Sequence, residues 1–135
     1  MKTKKVIDCH VNIWNKEHYL PKYFSQMKRI RPGNLQIKTD ADSLYQALEH
    51  ADKVIIFSPQ YGDSAGVQGD DNITAEAMKK YSEKFIGFAY VDPREKNCLK
   101  NLQYSIEELG LRGVKYGPIY NNVALSDERL EPIYN

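Results

Sequence analysis

Polar residues occupy every second position of the opening segment, at about 5–13. They are Asp8, His10 and Asn12, and they are separated by apolar residues. Because residues two apart on a β-strand lie on one face, the pattern predicts a first strand whose three polar side chains share a face. Side chains of these types bind metal ions or carry protons, so the strand predicts a functional site.

The rest of the chain alternates between apolar runs and helical stripes. Continuous apolar runs at 53–59 and 85–91 predict strands buried on both faces, and 113–117 predicts a short fourth strand. The sequence between the strands predicts loops and helices. A long loop at 15–38 contains a short helix near 17–29, and a second loop, at 60–69, contains glycines. One helix is capped by Thr39 or Asp40 and carries the apolar stripe Leu44, Ala47, Leu48 and Ala51, and another runs from Asp71 or Asn72 to about Glu83. A helix at 95–109 carries the stripe Leu99, Leu102, Ile106 and Leu109 and ends at Gly110, and a last helix begins near Ser126.

This order of elements predicts an α/β fold. Strict alternation of buried strands with helices is typical of a parallel sheet covered by helices. The loops that follow the strands are long, whereas the connection at 109–113 from a helix to the next strand is short. Functional loops are therefore expected at the carboxyl ends of the strands.

Composition narrows the class of protein. The length of 135 residues favours one domain, and a 41% share of hydrophobic residues is enough for a packed core. A net charge of +1 gives no indication of nucleic-acid binding. No apolar run approaches the ~20 residues of a membrane span, so a soluble, cytoplasmic protein is expected. Cys9 and Cys98 match no redox or zinc spacing.

Three segments together resemble the amidohydrolase-related family of TIM-barrel proteins. The family's opening, I-D-x-H-x-H-x-W, is similar to Val6-Ile7-Asp8-Cys9-His10-Val11-Asn12-Ile13-Trp14. Its segment N-…-F-x-G-x-A-x-V-D-P is similar to the stretch from Asn72 to Pro93. Its approach to the fourth strand, E-L-G-x-x-G-x-K, is similar to the stretch from Glu107 to Lys115. The order and spacing of the three segments carry the resemblance, which covers the chain apart from about 15–38.

The resemblance implies parallel βα repeats that form the first half, about four strands, of a (β/α)8 barrel. Since such a barrel takes ~250 residues, residues 1–135 are expected to be a single partial domain with a long insert at about 15–38. The implied function is that of a metal-dependent hydrolase, or part of one, acting on a small carboxylated, amide or lactone substrate. Two alternatives stay open: an inactive half barrel that serves as a metal-free binding or assembly module, and a nonoxidative decarboxylase of the same family.

The resemblance also implies site residues. His10 matches the first of two metal-binding histidines on strand one, and Asn12 stands in place of the second. Asp8 matches an acidic residue that some decarboxylases of the family use. Lys115, at the end of strand four, is the candidate catalytic residue, since a lysine there can meet a substrate carboxylate. Trp14 and Tyr116 are candidate substrate-binding residues.

A divalent metal is the implied cofactor, with zinc expected if the site is completed and no metal in this chain if it is not. The family's other ligands are histidines of strands five and six and an aspartate of strand eight, which this chain does not supply. His18 and His50 are not placed on strands where they could replace them. The expected partners are a small-molecule substrate and either a second copy of the chain or a C-terminal half, with no nucleic acid and no membrane.

Overall fold

A computed structural model describes residues 4–31, 33 and 38–135 of the chain. Positions 32 and 34–37 of the predicted loop at 15–38 lie outside the described residues. The strands are β1 (Ile7–Asn12), β2 (Lys53–Phe57), β3 (Gln60–Gly62), β4 (Val67–Gln68), β5 (Phe85–Gly87), β6 (Ala89–Val91) and β7 (Val114–Tyr116). The α-helices are α1 (Pro21–Ile30), α2 (Ala41–Ala47), α3 (Asp71–Lys80), α4 (Cys98–Glu107), α5 (Pro118–Asn121) and α6 (Glu131–Tyr134), and two short 3-10 helices are Lys16–His18 and Glu128–Leu130.

The main strands are parallel, as predicted. β1 pairs with β2, β2 pairs with β5, and β6 pairs with β7. The predicted strand at 85–91 is divided at Phe88, so β5 bonds to β2 on one side and β6 bonds to β7 on the other. The backbone N–H of Phe88 donates to the Ile56 carbonyl at 2.9 Å, and that of Ala89 donates to the Gly113 carbonyl at 2.8 Å. Four parallel strand positions follow one another in the order β1, β2, β5–β6 and β7.

Helices cover one face of these strands and bury its side chains. Val54 and Ile56 of β2 and Ile13 after β1 are 0% exposed and form one cluster with Leu44 of α2, Ala77 of α3 and Phe85. Adjacent residues of a strand point to opposite faces, so Ile55 and Ile86 lie on the other face. They are only half-buried. The hydrophobic core of the described residues is therefore the layer between the strands and the helices.

Side-chain caps fix where two helices begin. Asp40 begins α2, as predicted, and its carboxylate accepts a hydrogen bond from the backbone N–H of Ser43 at 3.0 Å. The cap of α3 is Asp70, one residue before the predicted Asp71 or Asn72, and it accepts from the backbone N–H groups of Asn72 and Ile73. Asp71 is therefore free to make contacts elsewhere.

Two further predictions need correction. The predicted loop at 60–69 contains the antiparallel hairpin β3–β4. The predicted last helix near Ser126 is present as a helical segment from Glu128 to Tyr134, capped by Asp127, and α5 is an additional short helix. On α4, half of the predicted stripe is turned outward, with Leu99 47% and Ile106 39% exposed, whereas Leu102 and Leu109 are half-buried. Cys98 and Ser105 are the buried positions of the helix, and a hydrogen bond from Ser105 to Asp71 holds that side inward. Within the described residues, no helix has the length and apolar character needed to cross a membrane.

Replacing Ile56 with alanine should lower the free energy of unfolding by about 2–5 kcal/mol, because a fully buried side chain leaves a cavity. The matched variant Ile55→Ala, one residue earlier on the same strand, should lose roughly 1 kcal/mol, since its side chain faces the half-buried side. Urea denaturation of both variants measures the difference. An equal loss in the two variants would show that both faces of β2 are covered.

Candidate active site at the carboxyl ends of the strands

A histidine and a lysine from different strands meet the same phenylalanine ring. The His10 imidazole lies edge-on against the Phe57 ring, with centroids 5.0 Å apart and planes at 72°. The Lys115 Nζ lies over the same ring, 5.0 Å from its centroid. The strands β1, β2 and β7 therefore bring an imidazole and an ammonium group to one place on the face opposite the helices. Sequence analysis did not single out Phe57, because it lies in a continuous apolar run.

Asn12 lies next to Phe57 in the sheet, at the point where His10 and Lys115 contact the phenylalanine ring. It is aligned with Phe57 in the pairing of β1 and β2. Its Oδ1 is buried and has no hydrogen-bond partner among the described residues. A buried acceptor without a partner costs about 1–3 kcal/mol, so this oxygen is available for a donor or a cation.

Asp8 does not share this face. The pairing of β1 with β2 shifts by one residue between Asp8 and Val11, so Asp8 is aligned with Val54 whereas Asn12 is aligned with Phe57. Val54 and Phe57 are three residues apart and point to opposite faces. The prediction that all three polar residues share one face is therefore wrong for Asp8, because a β-bulge interrupts the alternation. The Asp8 carboxylate accepts a hydrogen bond from the backbone N–H of His10 at 3.1 Å and steadies this irregular stretch.

Trp14 and Tyr116 differ in what their polar atoms do. The Trp14 Nε1 is buried without a hydrogen-bond partner in the part of the chain that the structure describes. Its backbone is held by Thr39, whose hydroxyl donates to the Trp14 carbonyl at 2.6 Å. The Tyr116 hydroxyl instead donates to the Val123 carbonyl at 2.5 Å and holds the segment that follows β7. Since Tyr116 is adjacent to Lys115 on a strand, the structure directs the two side chains to opposite faces.

The loops that follow β1, β2 and β7 contact one another and form a rim at the carboxyl ends of the strands. The ring of Tyr61 in the hairpin stacks on Tyr120 of α5, with centroids 3.9 Å apart. At the other end of the hairpin, the Leu20 backbone N–H donates to the Gly66 carbonyl at 2.9 Å. Gly66 has a φ of +69°, and a Cβ there would overlap the Tyr23 ring, so the turn requires glycine. Sequence analysis missed this rim because each strand of the hairpin has only two or three residues.

A half-buried carboxylate joins helices α3 and α4 to strand β6. Asp71 accepts hydrogen bonds from the Tyr90 backbone N–H at 3.0 Å and from the Ser105 hydroxyl at 2.7 Å. Burial raises the pKa of Asp71 above its ordinary value, although these hydrogen bonds oppose the shift. At the end of β6, burial also acts to raise the pKa of Asp92, but hydrogen bonds from Arg94 outweigh it and leave that pKa lowered.

Comparison with known proteins decides the family. A family model described as amidohydrolase matches residues 7–135, which is nearly the whole chain. The chain belongs to the amidohydrolase family. No curated protein sequence matches it.

Solved structures share the amidohydrolase fold at low sequence identity. A structure of amidohydrolase II is 20% identical with a TM-score of 0.57, and the match covers 96% of this chain and 46% of that one. A 2,6-dihydroxybenzoate decarboxylase bound to 2,6-dihydroxybenzoate is 16% identical with a TM-score of 0.57, covering 98% of this chain and 47% of that one. A 4-oxalomesaconate hydratase from Rhodopseudomonas palustris is 18% identical with a TM-score of 0.55, covering 96% and 48%. The chain thus spans about half the length of these proteins and matches their TIM-barrel fold in part.

Amidohydrolases generally use a divalent metal, and two residues of this chain fit such an ion. The His10 imidazole, which contacts Phe57, and the unpartnered Oδ1 of Asn12, which is aligned with Phe57, offer a nitrogen and an oxygen donor two residues apart on β1. Nowhere in residues 4–31, 33 and 38–135 do three or more His, Cys, Asp or Glu side chains converge as a metal site. The described residues therefore fit part of a coordination sphere, since zinc is held by three or four protein ligands.

The raised pKa of Asp71 predicts a distinct pH dependence of stability. Its pKa is higher folded than unfolded, so its contribution is fully present below the unfolded value near 3.8 and is lost as pH rises through the folded pKa. The stability of the unmodified chain relative to Asp71→Asn should therefore fall from about pH 3.5 to neutral pH. Urea denaturation across this range measures the difference.

The variant Ser105→Ala provides the control. It removes a hydrogen bond that stabilises the ionised Asp71, so the fall should extend to higher pH than in the unmodified chain. If the difference in the free energy of unfolding between the unmodified chain and Asp71→Asn does not change with pH, the pKa of Asp71 is not raised in the folded protein.

Proposed function

We propose that this chain carries the strand-one and strand-four residues of a metal-dependent hydrolase that acts on a small carboxylated, amide or lactone substrate. The observation that carries the proposal is the shared contact of His10 and Lys115 with Phe57, which brings a metal-binding group and a cation together at one end of the sheet. Functional residues of parallel barrels cluster at that end.

Lys115 is proposed to bind a carboxylate of the substrate. Among the described residues, no carboxylate forms an ion pair with its ammonium group. Three relatives are named for compounds that carry carboxyl groups: 4-oxalomesaconate hydratase, 2,6-dihydroxybenzoate decarboxylase and a probable 2-pyrone-4,6-dicarboxylic acid hydrolase from Acinetobacter baumannii. A positive group that lacks a partner in the protein suits such substrates.

The remaining roles follow from the donors and acceptors at this place. His10 and Asn12 would hold the divalent ion, for which zinc is our proposal. When bound, the ion supplies polarisation of a carbonyl group and activation of water. Trp14 Nε1 would donate a hydrogen bond to a substrate oxygen, because an indole N–H is a donor only and here lacks a partner. Asp8 and Tyr116 are proposed to support the site through the backbone contacts that they make.

Metal binding tests the first part of the proposal. Isothermal titration of the metal-free intact protein, which would supply the remaining ligands, with Zn²⁺ should show binding that His10→Ala abolishes. Asn12→His should tighten it by about tenfold or more, equal to about 1.4 kcal/mol, because imidazole is a better ligand than an amide for zinc. The exposed His50 offers a matched control, and His50→Ala should leave the affinity unchanged. An equal loss in His10→Ala and His50→Ala would place the bound zinc elsewhere.

Substrate turnover tests the second part. With the intact protein and added metal, Lys115→Met should raise KM for carboxylated substrates by about tenfold to a hundredfold, the range expected for a hydrogen bond to a charged group. Uncharged lactones should be affected much less. Equal effects on charged and uncharged substrates would refute a carboxylate-binding role. Release of CO₂ in place of hydrolysis products would favour the decarboxylase alternative, which the fold of the dihydroxybenzoate decarboxylase also suits.

The alternative of a metal-free assembly module rests on the face opposite the helices. Ile55, Ile86 and Phe88 are only half-buried there, and Ile7 is 55% exposed. A second copy of the chain would bury this apolar face in a homo-oligomer. Light scattering with size-exclusion chromatography should then give a dimer that binds no zinc, whereas a stable monomer that binds zinc would rule this alternative out.

A further inference from the structure

We infer that Phe57 is a positioning residue that holds the side chains of His10 and Lys115 at a fixed spacing. The inference rests on the proposed function, which gives those two residues their roles. The ring would act through its contacts with them, without touching substrate itself.

Phe57 is a buried apolar residue that lies outside the main cluster of the core. The residue is 1% exposed, yet it does not belong to the cluster that Val54, Ile56 and their neighbours form beneath the helices. The aromatic and cationic groups that contact its ring are His10 and Lys115. A large, fully buried apolar side chain thus contacts both groups that the proposed function requires.

The backbone fixes the position of this ring. Phe57 is the last residue of β2, and its carbonyl accepts a hydrogen bond from the Ile13 backbone N–H at 2.9 Å. Its neighbour in the pairing is Asn12, the second proposed metal ligand. The ring is therefore attached to the same strand pair that carries both proposed ligands, and it does not depend on a mobile loop.

Lys115 and His10 approach the Phe57 ring in different ways, so the ring can orient both side chains relative to each other. The negative face of an aromatic ring attracts a cation such as the Lys115 ammonium, whereas the imidazole of His10 packs edge-on at 72°. Since each group is 5.0 Å from one centroid, the Lys115 Nζ and the His10 ring centroid lie within about 10 Å of each other. A lysine side chain has many rotamers, so a ring that selects one of them places the ammonium before substrate binds.

Lysine NMR tests the contact directly. Protons above the face of an aromatic ring are shifted upfield, so the ε-CH₂ signal of Lys115 in ¹³C-lysine-labelled protein should lie upfield, with Lys115→Arg giving the assignment. Phe57→Leu should move this signal to the chemical shift of lysines that have no aromatic ring nearby, whereas Phe57→Tyr should retain the upfield shift. Phe88→Leu is the matched control, because Phe88 lies between the neighbouring strands β5 and β6 and the described contacts place no cation over its ring. An unshifted Lys115 signal in the unmodified protein would overturn the inference without any variant.

Binding of a dicarboxylate probe tests the consequence. Isophthalate is titrated into the intact protein and each variant, and Phe57→Leu should weaken binding by about fivefold, the size of a cation–π contact. Phe57→Tyr and Phe88→Leu should stay within about twofold of the unmodified protein. If Lys115→Met weakens binding but Phe57→Leu does not, Phe57 is not a positioning residue and the proposed function stands. If binding does not depend on Lys115, its role in the proposed function is wrong, and the NMR signal alone decides whether Phe57 positions it.

Discussion

The pairing of β1 with β2 is the interaction on which the candidate site depends. It aligns Asn12 with Phe57 and places the carboxyl ends of both strands side by side. The same pairing buries Ile13 and Val54 beneath the helices. One set of backbone hydrogen bonds therefore positions both the core residues on one face and the candidate site residues on the other. The one-residue shift within it moves Asp8 to the other face, where the carboxylate serves the backbone of His10.

Parts of the fold that rest on hydrophobic period could be predicted from the sequence. The buried runs of β2 and β5–β6, the Asp40 cap and the turn at Gly110, with a φ of +72°, each have a local physical cause. The inward side of helix α4 was predicted only in part, because its position depends on a hydrogen bond from Ser105 to Asp71, which is 34 residues away. No pattern within the helix contains that information.

The candidate site could be predicted only in part for the same reason. His10, Asn12 and Lys115 are visible as polar residues at strand ends, and the structure does place His10 and Lys115 against one ring. The bulge in β1 is invisible in the sequence, since its effect depends on which residue of β2 each position meets. Phe57 could not be singled out from the sequence, because an apolar residue in an apolar run resembles any core residue.

The division of the third strand at Phe88 has a mechanical consequence. His10 belongs to the sheet of β1, β2 and β5, whereas Lys115 belongs to the separate pair of β6 and β7. Backbone hydrogen bonds still cross the division, from Phe88 to the Ile56 carbonyl and from Arg112 to the Gly87 carbonyl. The continuous backbone of residues 85–91 therefore joins the two sheets, and the contacts of the Phe57 ring with His10 and Lys115 form a second, side-chain link between them.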